Sequence, residues 1–355
     1  ISWSPLLVPV LGFGGFVLLQ WLLGLSVYPY LTKMEWMKLA AVFVLLFLAV
    51  QSIRTADQAR EFVWMLLVLG FVISLFAIIQ YFGFNGKLYW FREFRAGSPF
   101  GPYVNRNHFA GMVELIAPLG LAMLVFRGVE KEKLPLVGLL TIVPIGALFL
   151  SASRGGIAGF LIQLGLLAYL AGARSGVRRR VGWGTAIVLL AGVFVAWLGV
   201  ERALERFLAL GGADLAGDTR IVMLKDTWRI FLDHPWTGTG VGTLIEVYPR
   251  YASEYFGGRV VDHAHNDFVE MLAETGLVGA LCSAAFLILL FRLGFSNLER
   301  SRGASEAFLY AGALTACSGL LLHSWVDFNF HIPANALLFF LIASLAVLPR
   351  REAAG

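Results

Sequence analysis

The sequence predicts an all-α fold, a polytopic transmembrane helical bundle of about ten spans. Of the 355 residues, 58% are hydrophobic and only 14% are charged, whereas soluble domains have about 25% charged residues. The apolar residues also form long stretches, not the short alternating segments of a β-barrel. These observations exclude a water-soluble globule. The net charge of +5 does not indicate nucleic-acid binding, because the basic residues cluster in short loops.

A helix needs about 20 mostly apolar residues to cross the hydrocarbon core of a bilayer. Stretches of this kind are 5–27, 36–53, 62–82, 107–126, 134–151, 155–172, 183–200, 266–291, 306–325 and 332–348. The first seven lie within residues 1–200, and the last three lie within 263–355. Between them, residues 201–262 are too polar to span, and we predict a helical loop region there, with one helix near 219–232.

Arginine and lysine mark one set of loops, which contains residues 54–60, 127–133, 174–180, 292–302 and 350–351. By the positive-inside rule this set is cytoplasmic, as are both termini. The alternate loops, including the segment 201–262, then lie on the outer side. All six histidines fall on that outer side, which predicts that the chemistry is concentrated there.

The densest polar cluster is the segment 262–270, which contains His263, His265, Asn266 and Glu270 and leads into a predicted span. Ionisable residues at such a position are costly and usually functional. A histidine there is suited to act as a general base, because its ordinary pKa lies near neutrality. A metal site and a purely structural role are the alternatives. We predict no metal, because H-x-H alone is a weak signal and no HExxH or CxxC pattern accompanies it.

Three arginines on the outer side are candidates for binding an anion. Arg154 lies in a tight turn between two apolar spans, where an arginine is costly unless it meets an anion. The glycines after it, Gly155 and Gly156, would let a ligand approach the start of the next helix. Arg220 follows Asp218, a possible helix cap, and Arg106 begins the fourth span. Interfacial snorkelling is the alternative for Arg106 and Arg220.

The turn between the last two spans runs from His323 to His331 and contains Asp327. Its carboxylate could orient a histidine ring or pair with an arginine. The aromatic residues of the turn are equally typical of an interfacial belt.

Together these motifs resemble the O-antigen ligase/polymerase superfamily. The resemblance covers most of the chain from about Asn105 to Leu345. It rests on the order of four motifs: Ser-Ala-Ser-Arg-Gly-Gly from Ser151, Asp-Thr-Arg from Asp218, His-Ala-His-Asn from His263, and His323 with Asp327-Phe-Asn. Each motif alone is weak, whereas their order around one long outer segment is specific.

The resemblance implies an inverting, metal-independent glycosyltransferase that needs no cofactor. It would move a glycan from undecaprenyl diphosphate to lipid A–core, or to another glycan acceptor, at the periplasmic face of the bacterial inner membrane. The carried-over catalytic residues are His265, with His263 as the adjacent candidate, Arg154 and Arg220. The expected substrate-binding residues are Arg106, His108, Asn266, Glu270, His323 and Asp327.

Three alternatives remain at this point. Within the same class they are an O-antigen polymerase and a protein O-oligosaccharyltransferase. A secondary transporter is the alternative from another class, although the polar residues gather at one face and the two halves do not resemble each other. Members of the family usually have more spans than this chain, which begins at Ile1. We therefore expect either missing N-terminal helices or a shorter branch of the family.

Overall fold

The computed structural model describes residues 3–94, 97–172, 215–254, 260–301 and 303–348. Within these ranges the regular secondary structure is helical, and the extended pairings are isolated bridges among residues 88–105. Six helices in the described ranges are long and apolar enough to cross a membrane. The all-α fold and the multi-pass membrane character are therefore confirmed.

The helices are α1 (Leu7–Leu22), α2 (Pro29–Ser52), α3 (Ala56–Phe82), α4 (Arg106–Val125), α5 (Leu134–Leu150), α6 (Arg154–Gly172), α7 (Leu215–Asp233), α8 (Asp267–Arg300), α9 (Ala304–His323) and α10 (Pro333–Ala346). Each predicted apolar stretch within the described ranges coincides with one of them. The stretch 183–200 and residues 201–214 lie outside the described residues, so the count of about ten spans stays a prediction.

Several helices are longer than their apolar stretches. Residues 28–35 separate two predicted apolar stretches, 5–27 and 36–53, but α2 begins at Pro29. Likewise α8 continues to Arg300, through most of the predicted loop 292–302. Local hydrogen bonds explain the early start of α3, where Thr55 and Gln58 form a capping box. Hydropathy marks the part of a helix that lipid covers, whereas backbone hydrogen bonding continues beyond it into the polar ends.

The chain forms two compact units. The first comprises Ile1–Ala49, Gly199–Leu290 and Ser324–Ala336, and the second comprises Val50–Leu198, Phe291–His323 and Leu337–Gly355. In the second unit α4 is the central helix, since 15 of its 20 residues are buried. It packs against α3, α5, α6 and α9. A helix that is buried on all sides belongs to the core of a bundle.

Polar side chains join the central helices of the second unit. Glu114 of α4 and His323 of α9 are both buried, and Glu114 Oε2 lies 2.7 Å from His323 Nδ1. The amide of Gln163 in α6 donates to the backbone oxygens of Glu114 and Thr315, at 2.8 and 3.0 Å. Side-chain hydrogen bonds of this kind fix the register of neighbouring helices in a bilayer.

In the first unit α8 is interrupted near the polar segment. Gly276 has φ 58° and ψ −159°, a backbone conformation that is strained for any residue with a side chain. The break leaves helical backbone groups without partners, and the loop after α7 supplies them. Leu277 N donates to Pro235 O at 2.8 Å, and Gly240 N donates to Glu274 O at 2.9 Å. This pairing holds the loop against α8.

Candidate functional site

A hydrogen-bonded cluster of histidines and carboxylates lies at the start of α8 in the first unit. His263 Nδ1 is 2.7 Å from Glu270 Oε1, and His331 Nε2 is 3.2 Å from the same oxygen. The other ring nitrogen of His331, Nδ1, is 2.9 Å from Asp267 Oδ1. Glu270 Oε2 accepts a 2.7 Å hydrogen bond from Ala264 N. The cluster is therefore one continuous network.

The same network fixes the turn before α10. Asp267 N donates to Ser324 O at 3.0 Å, and Asp267 Oδ2 accepts from Phe330 N at 3.1 Å. The Asn266 side chain caps α8, since its oxygen accepts from Phe268 N and Val269 N, while its nitrogen donates to Trp325 O. We call residues 324–331 the clamped turn, because α8 holds it at both ends.

His265 faces the clamped turn from a strained backbone position. Its φ is +52°, a value that is uncommon outside glycine and often associated with functional sites. Its Nδ1 is buried, lies 3.6 Å from Asp327 Oδ1 and makes no hydrogen bond. The ring meets Phe328 edge-on, with centroids 5.0 Å apart. A quarter of the side chain is exposed, and Nε2 has no hydrogen-bond partner among the described residues.

Arg220 reaches the clamped turn from α7. Its side chain is exposed, and its Nη1 lies 3.3 Å from Val326 O, next to Asp327. The buried Asp226 anchors α7, because its Oδ2 accepts from Tyr248 Oη at 3.1 Å and from Ser253 N at 3.0 Å. α7 begins at Leu215, so Asp218 lies within the first turn and not at the predicted cap. Arg220 and His265 thus converge on one short segment.

His331 carries the positive charge of the cluster. Burial opposes protonation of its ring, but the charge of Glu270, the hydrogen bond and charge of Asp267, and the charge of Glu274 outweigh it and raise the pKa of His331 to about 10. His331 is therefore a cation at neutral pH. Its positive charge compensates the carboxylates that hold the clamped turn.

The cluster also offers a set of metal ligands. Donor atoms of His263, Glu270 and His331 all lie within 4.8 Å of one another, and two imidazoles with one carboxylate are a usual ligand set. Protonated His331 already compensates the negative charge, so charge balance here does not require an ion. The absence of a metal stays a prediction, and a chelator tests it.

Arg154 lies in the second unit, where the predicted tight turn is confirmed between α5 and α6. Ser153 caps α6, since its hydroxyl accepts from Gly156 N at 3.3 Å and donates to Asn107 Oδ1 at 2.9 Å. Arg154 is half-buried and makes no ion pair with a described residue. Gly156 was expected to admit a ligand, but it packs directly against Ala110 of α4. Its small size therefore serves helix packing.

The predicted substrate-binding residues differ in accessibility. The side chains of His108, Asn266, Glu270 and His323 are buried, and the last three bond to neighbouring protein groups. Their substrate contacts stay predictions. Arg106 is exposed, and the buried Asp327 lies beside His265.

Sequence reasoning did not place Asp267 and His331 among the site residues. A usable signal was present, because Asp267, Glu270 and Glu274 follow one another at spacings of three and four in an otherwise apolar helix. This spacing puts them on one face. Asp267 and Glu270 both contact the His331 ring, whereas Glu274 accepts hydrogen bonds from Gly242 N and Leu244 N.

Comparison with known proteins bears on the family that the motifs resemble. The O-antigen ligase family model, Wzy_C, matches residues 139–284, a range that contains Arg154, Arg220, His263 and His265. The teichuronic acid biosynthesis protein TuaE of Bacillus subtilis (strain 168) is 27% identical over 281 residues, which cover 75% of this chain and 56% of that protein. The chain therefore spans little more than half the length of this relative. Both matches support the resemblance to the O-antigen ligase superfamily that the motifs carry.

Proposed function

We propose that this protein is a glycosyltransferase that moves a glycan from a polyprenyl diphosphate to an acceptor hydroxyl at the outer face of a bacterial inner membrane. The observation that carries the proposal is the convergence of His265 and Arg220 on the clamped turn. One group is suited to take a proton and the other to bind phosphate oxygens. The match of residues 139–284 to the O-antigen ligase family model supports the same reaction.

His265 is the proposed general base. Its Nε2 accepts the proton of the acceptor hydroxyl as that oxygen bonds to the anomeric carbon from the face opposite the leaving group. Asp327, near Nδ1, stabilises the imidazolium that forms. His263 is less suited, because its ring is stacked 4.3 Å from Phe328 and its partner Glu270 is shared with cationic His331. Glu270 therefore has less negative charge available to stabilise a protonated His263.

Arg220 is the proposed ligand of the leaving group. As the bond between the anomeric carbon and the phosphate oxygen breaks, the electron pair stays on the diphosphate and its negative charge grows. A guanidinium can bind two phosphate oxygens at once, and an arginine aimed at developing charge lowers the barrier. The diphosphate linkage supplies the driving force, so no nucleotide is required. Arg154 is proposed independently as a residue required for the same reaction.

The acceptor we propose first is lipid A–core, which makes the protein a ligase. A second candidate is glycan polymerisation, in which the acceptor is another lipid-linked repeat. The name of TuaE favours keeping this candidate, since it specifies teichuronic acid biosynthesis and mentions no lipid A–core acceptor. The glycan product in a deletion strain separates the candidates: uncapped lipopolysaccharide supports ligation, and short glycan chains support polymerisation.

The test of the arginine assignment compares three variants of purified protein in a transfer assay with a polyprenyl-diphosphate glycan. Arg220→Ala is expected to lower kcat by about 10²–10³-fold, the usual loss for one group that stabilises developing charge. Arg220→Lys should recover only part of the rate, because it lacks the bidentate fork. Lys225→Ala, an exposed cation on the same helix, is the matched control. Equal rates for Arg220→Ala and Lys225→Ala would remove Arg220 from the mechanism.

A further inference from the structure

A cavity of about 300 Å³ lies in the second unit, where α3 and α5 end and α4 begins. The end of α3 and the residues just after it contribute Gln80, Tyr81 and Phe84 to its wall. The segment before α4 contributes residues 98–101, and Arg106 opens the helix; the turn after α5 contributes residues 150–152. The residues proposed above to transfer the proton and bind the leaving group do not line it.

Arg106 is the one charged residue among the described lining residues. Its backbone is fixed, because Arg106 N donates to Ser98 O at 2.8 Å. Its side chain is exposed, and it forms no ion pair with any described residue. A guanidinium at a cavity wall that has no carboxylate partner among the described residues is available to an anion. Phosphate is the anion that its planar fork of N–H groups fits best.

The rest of the wall has aromatic and apolar residues beside the uncharged polar residues Gln80, Ser98 and Ser151. The rings of Tyr81 and Phe100 lie with centroids 5.7 Å apart, and Phe84 is about half exposed at 48%. A small inorganic anion would leave these rings in contact with water. Burial of apolar surface is worth about 25 cal/mol per Å², so a ligand with an apolar portion next to its charge fits the wall better.

The cavity also lies at the ends of membrane-spanning helices. α3, α4 and α5 are each long and apolar enough to cross a bilayer. The cavity lies where α3 and α5 end and α4 begins. Helix ends of this kind meet the headgroup layer, where phosphate and the first carbons of lipid chains are found together. Charge, aromatic wall and position therefore indicate the same class of ligand.

We propose that this cavity binds the phosphate headgroup of an amphiphile, with phosphate oxygens on the Arg106 guanidinium and the adjoining apolar chain against Tyr81 and Phe84. A neutral sugar would use the rings but leave the guanidinium without an anion. The shared chemistry is a phosphate monoester or diester on an apolar chain, from a polyprenyl phosphate or from a bilayer phospholipid.

The test measures binding of farnesyl phosphate, farnesol and dihexanoyl phosphatidylglycerol to the purified full-length protein in a phosphate-free detergent. Arg106→Gln should weaken farnesyl phosphate about tenfold or more, the effect of losing a charge-assisted hydrogen bond, and leave farnesol binding unchanged. Phe84→Ala should weaken both farnesyl compounds. The matched control is Arg92→Gln. Arg92 is an exposed arginine in the connection between α3 and α4, and it does not line the cavity.

The proposal is supported if either phosphate ligand loses affinity in Arg106→Gln but not in Arg92→Gln, and the ligand that binds more tightly identifies the source. In an Arg220→Ala background, Arg106→Gln should weaken farnesyl phosphate binding by the same factor as in the wild type, which separates this cavity from the proposed catalytic site. Equal affinity of farnesol and farnesyl phosphate would overturn the proposal. So would equal affinity in the two glutamine variants, or an unchanged affinity in Phe84→Ala if Arg106→Gln does not fold.

Discussion

His263 and His265 are separated by one residue, yet each faces a different carboxylate. His263 bonds to Glu270 and is stacked on Phe328, whereas the unbonded Nδ1 of His265 faces Asp327. The motif alone could not separate them, because a two-residue spacing fixes no common face outside a helix or strand. The left-handed backbone of His265 turns its ring toward the clamped turn, and no sequence pattern predicts that conformation for a histidine.

We expect His265→Gln to lower kcat by about 10²–10⁴-fold, the usual contribution of a general base, with little change in KM. His263→Gln should cost less, because its effect on the base is indirect. The assay is glycan transfer by purified protein. His234→Gln, a histidine of the same unit outside the cluster, is the control. A larger loss in His263→Gln than in His265→Gln would exchange the two assignments.

His331 predicts a specific dependence of stability on pH. Its pKa is raised to about 10 in the folded protein, against about 6.5 in an unfolded chain. The folded state therefore holds an extra proton between these values, and the stabilisation is complete below about pH 6.5 and lost as pH rises through 10. Thermal unfolding of the wild type should show this loss, and His331→Gln should show a smaller one. Identical pH profiles would contradict the charge assigned to His331.

At the scale of elements, the break in α8 is set by one glycine. Gly276 has φ +58°, and an added Cβ would collide with the backbone of Trp236. Gly276→Ala should therefore destabilise the protein by about 1–3 kcal/mol. Gly138→Ala in α5 is the control, since nothing lies within 4 Å of the position that its new methyl group would take, and alanine favours a helix. Equal melting temperatures for both variants would show that the break tolerates a side chain.

The contact between α4 and α9 gives a second prediction at this scale. Glu114 and His323 are buried and bonded to each other. Removal of either side chain therefore leaves the other polar group buried without this hydrogen bond. We expect Glu114→Ala to destabilise the protein by about 3–5 kcal/mol. Replacement of both residues by leucine should cost less than the sum of the single changes. Strict additivity in a double-mutant cycle would show that the pair is not coupled.

The helices themselves were largely predictable, whereas their ends were not. Apolar stretches located α4, α5 and α6 to within about one residue at each end, because lipid requires a minimum apolar length. The polar starts of α2 and α3 and the long end of α8 depend on capping and backbone hydrogen bonds, which hydropathy does not record. The bond between His323 and Glu114, 209 residues apart, could not be found from spacing, and the substrate contact of His323 stays a prediction.

At the scale of the whole molecule, composition sufficed to predict a membrane protein, and motif order pointed to the superfamily that the comparisons support. They did not provide the network that fixes the clamped turn, because that network joins α8 to a segment more than fifty residues later. Asp267 and His331 are 64 positions apart. Their partnership follows from the fold and from the requirement that buried charges be compensated.

The central claim is metal-independent glycan transfer with His265 as the base. The most direct test incubates purified wild type, His265→Gln and His234→Gln with a polyprenyl-diphosphate glycan and lipid A–core, each with and without a chelator. We predict transfer by the wild type and by His234→Gln that survives chelation, and a large loss in His265→Gln alone. Full activity of His265→Gln, or activity abolished by the chelator and restored by a divalent metal, would contradict the claim.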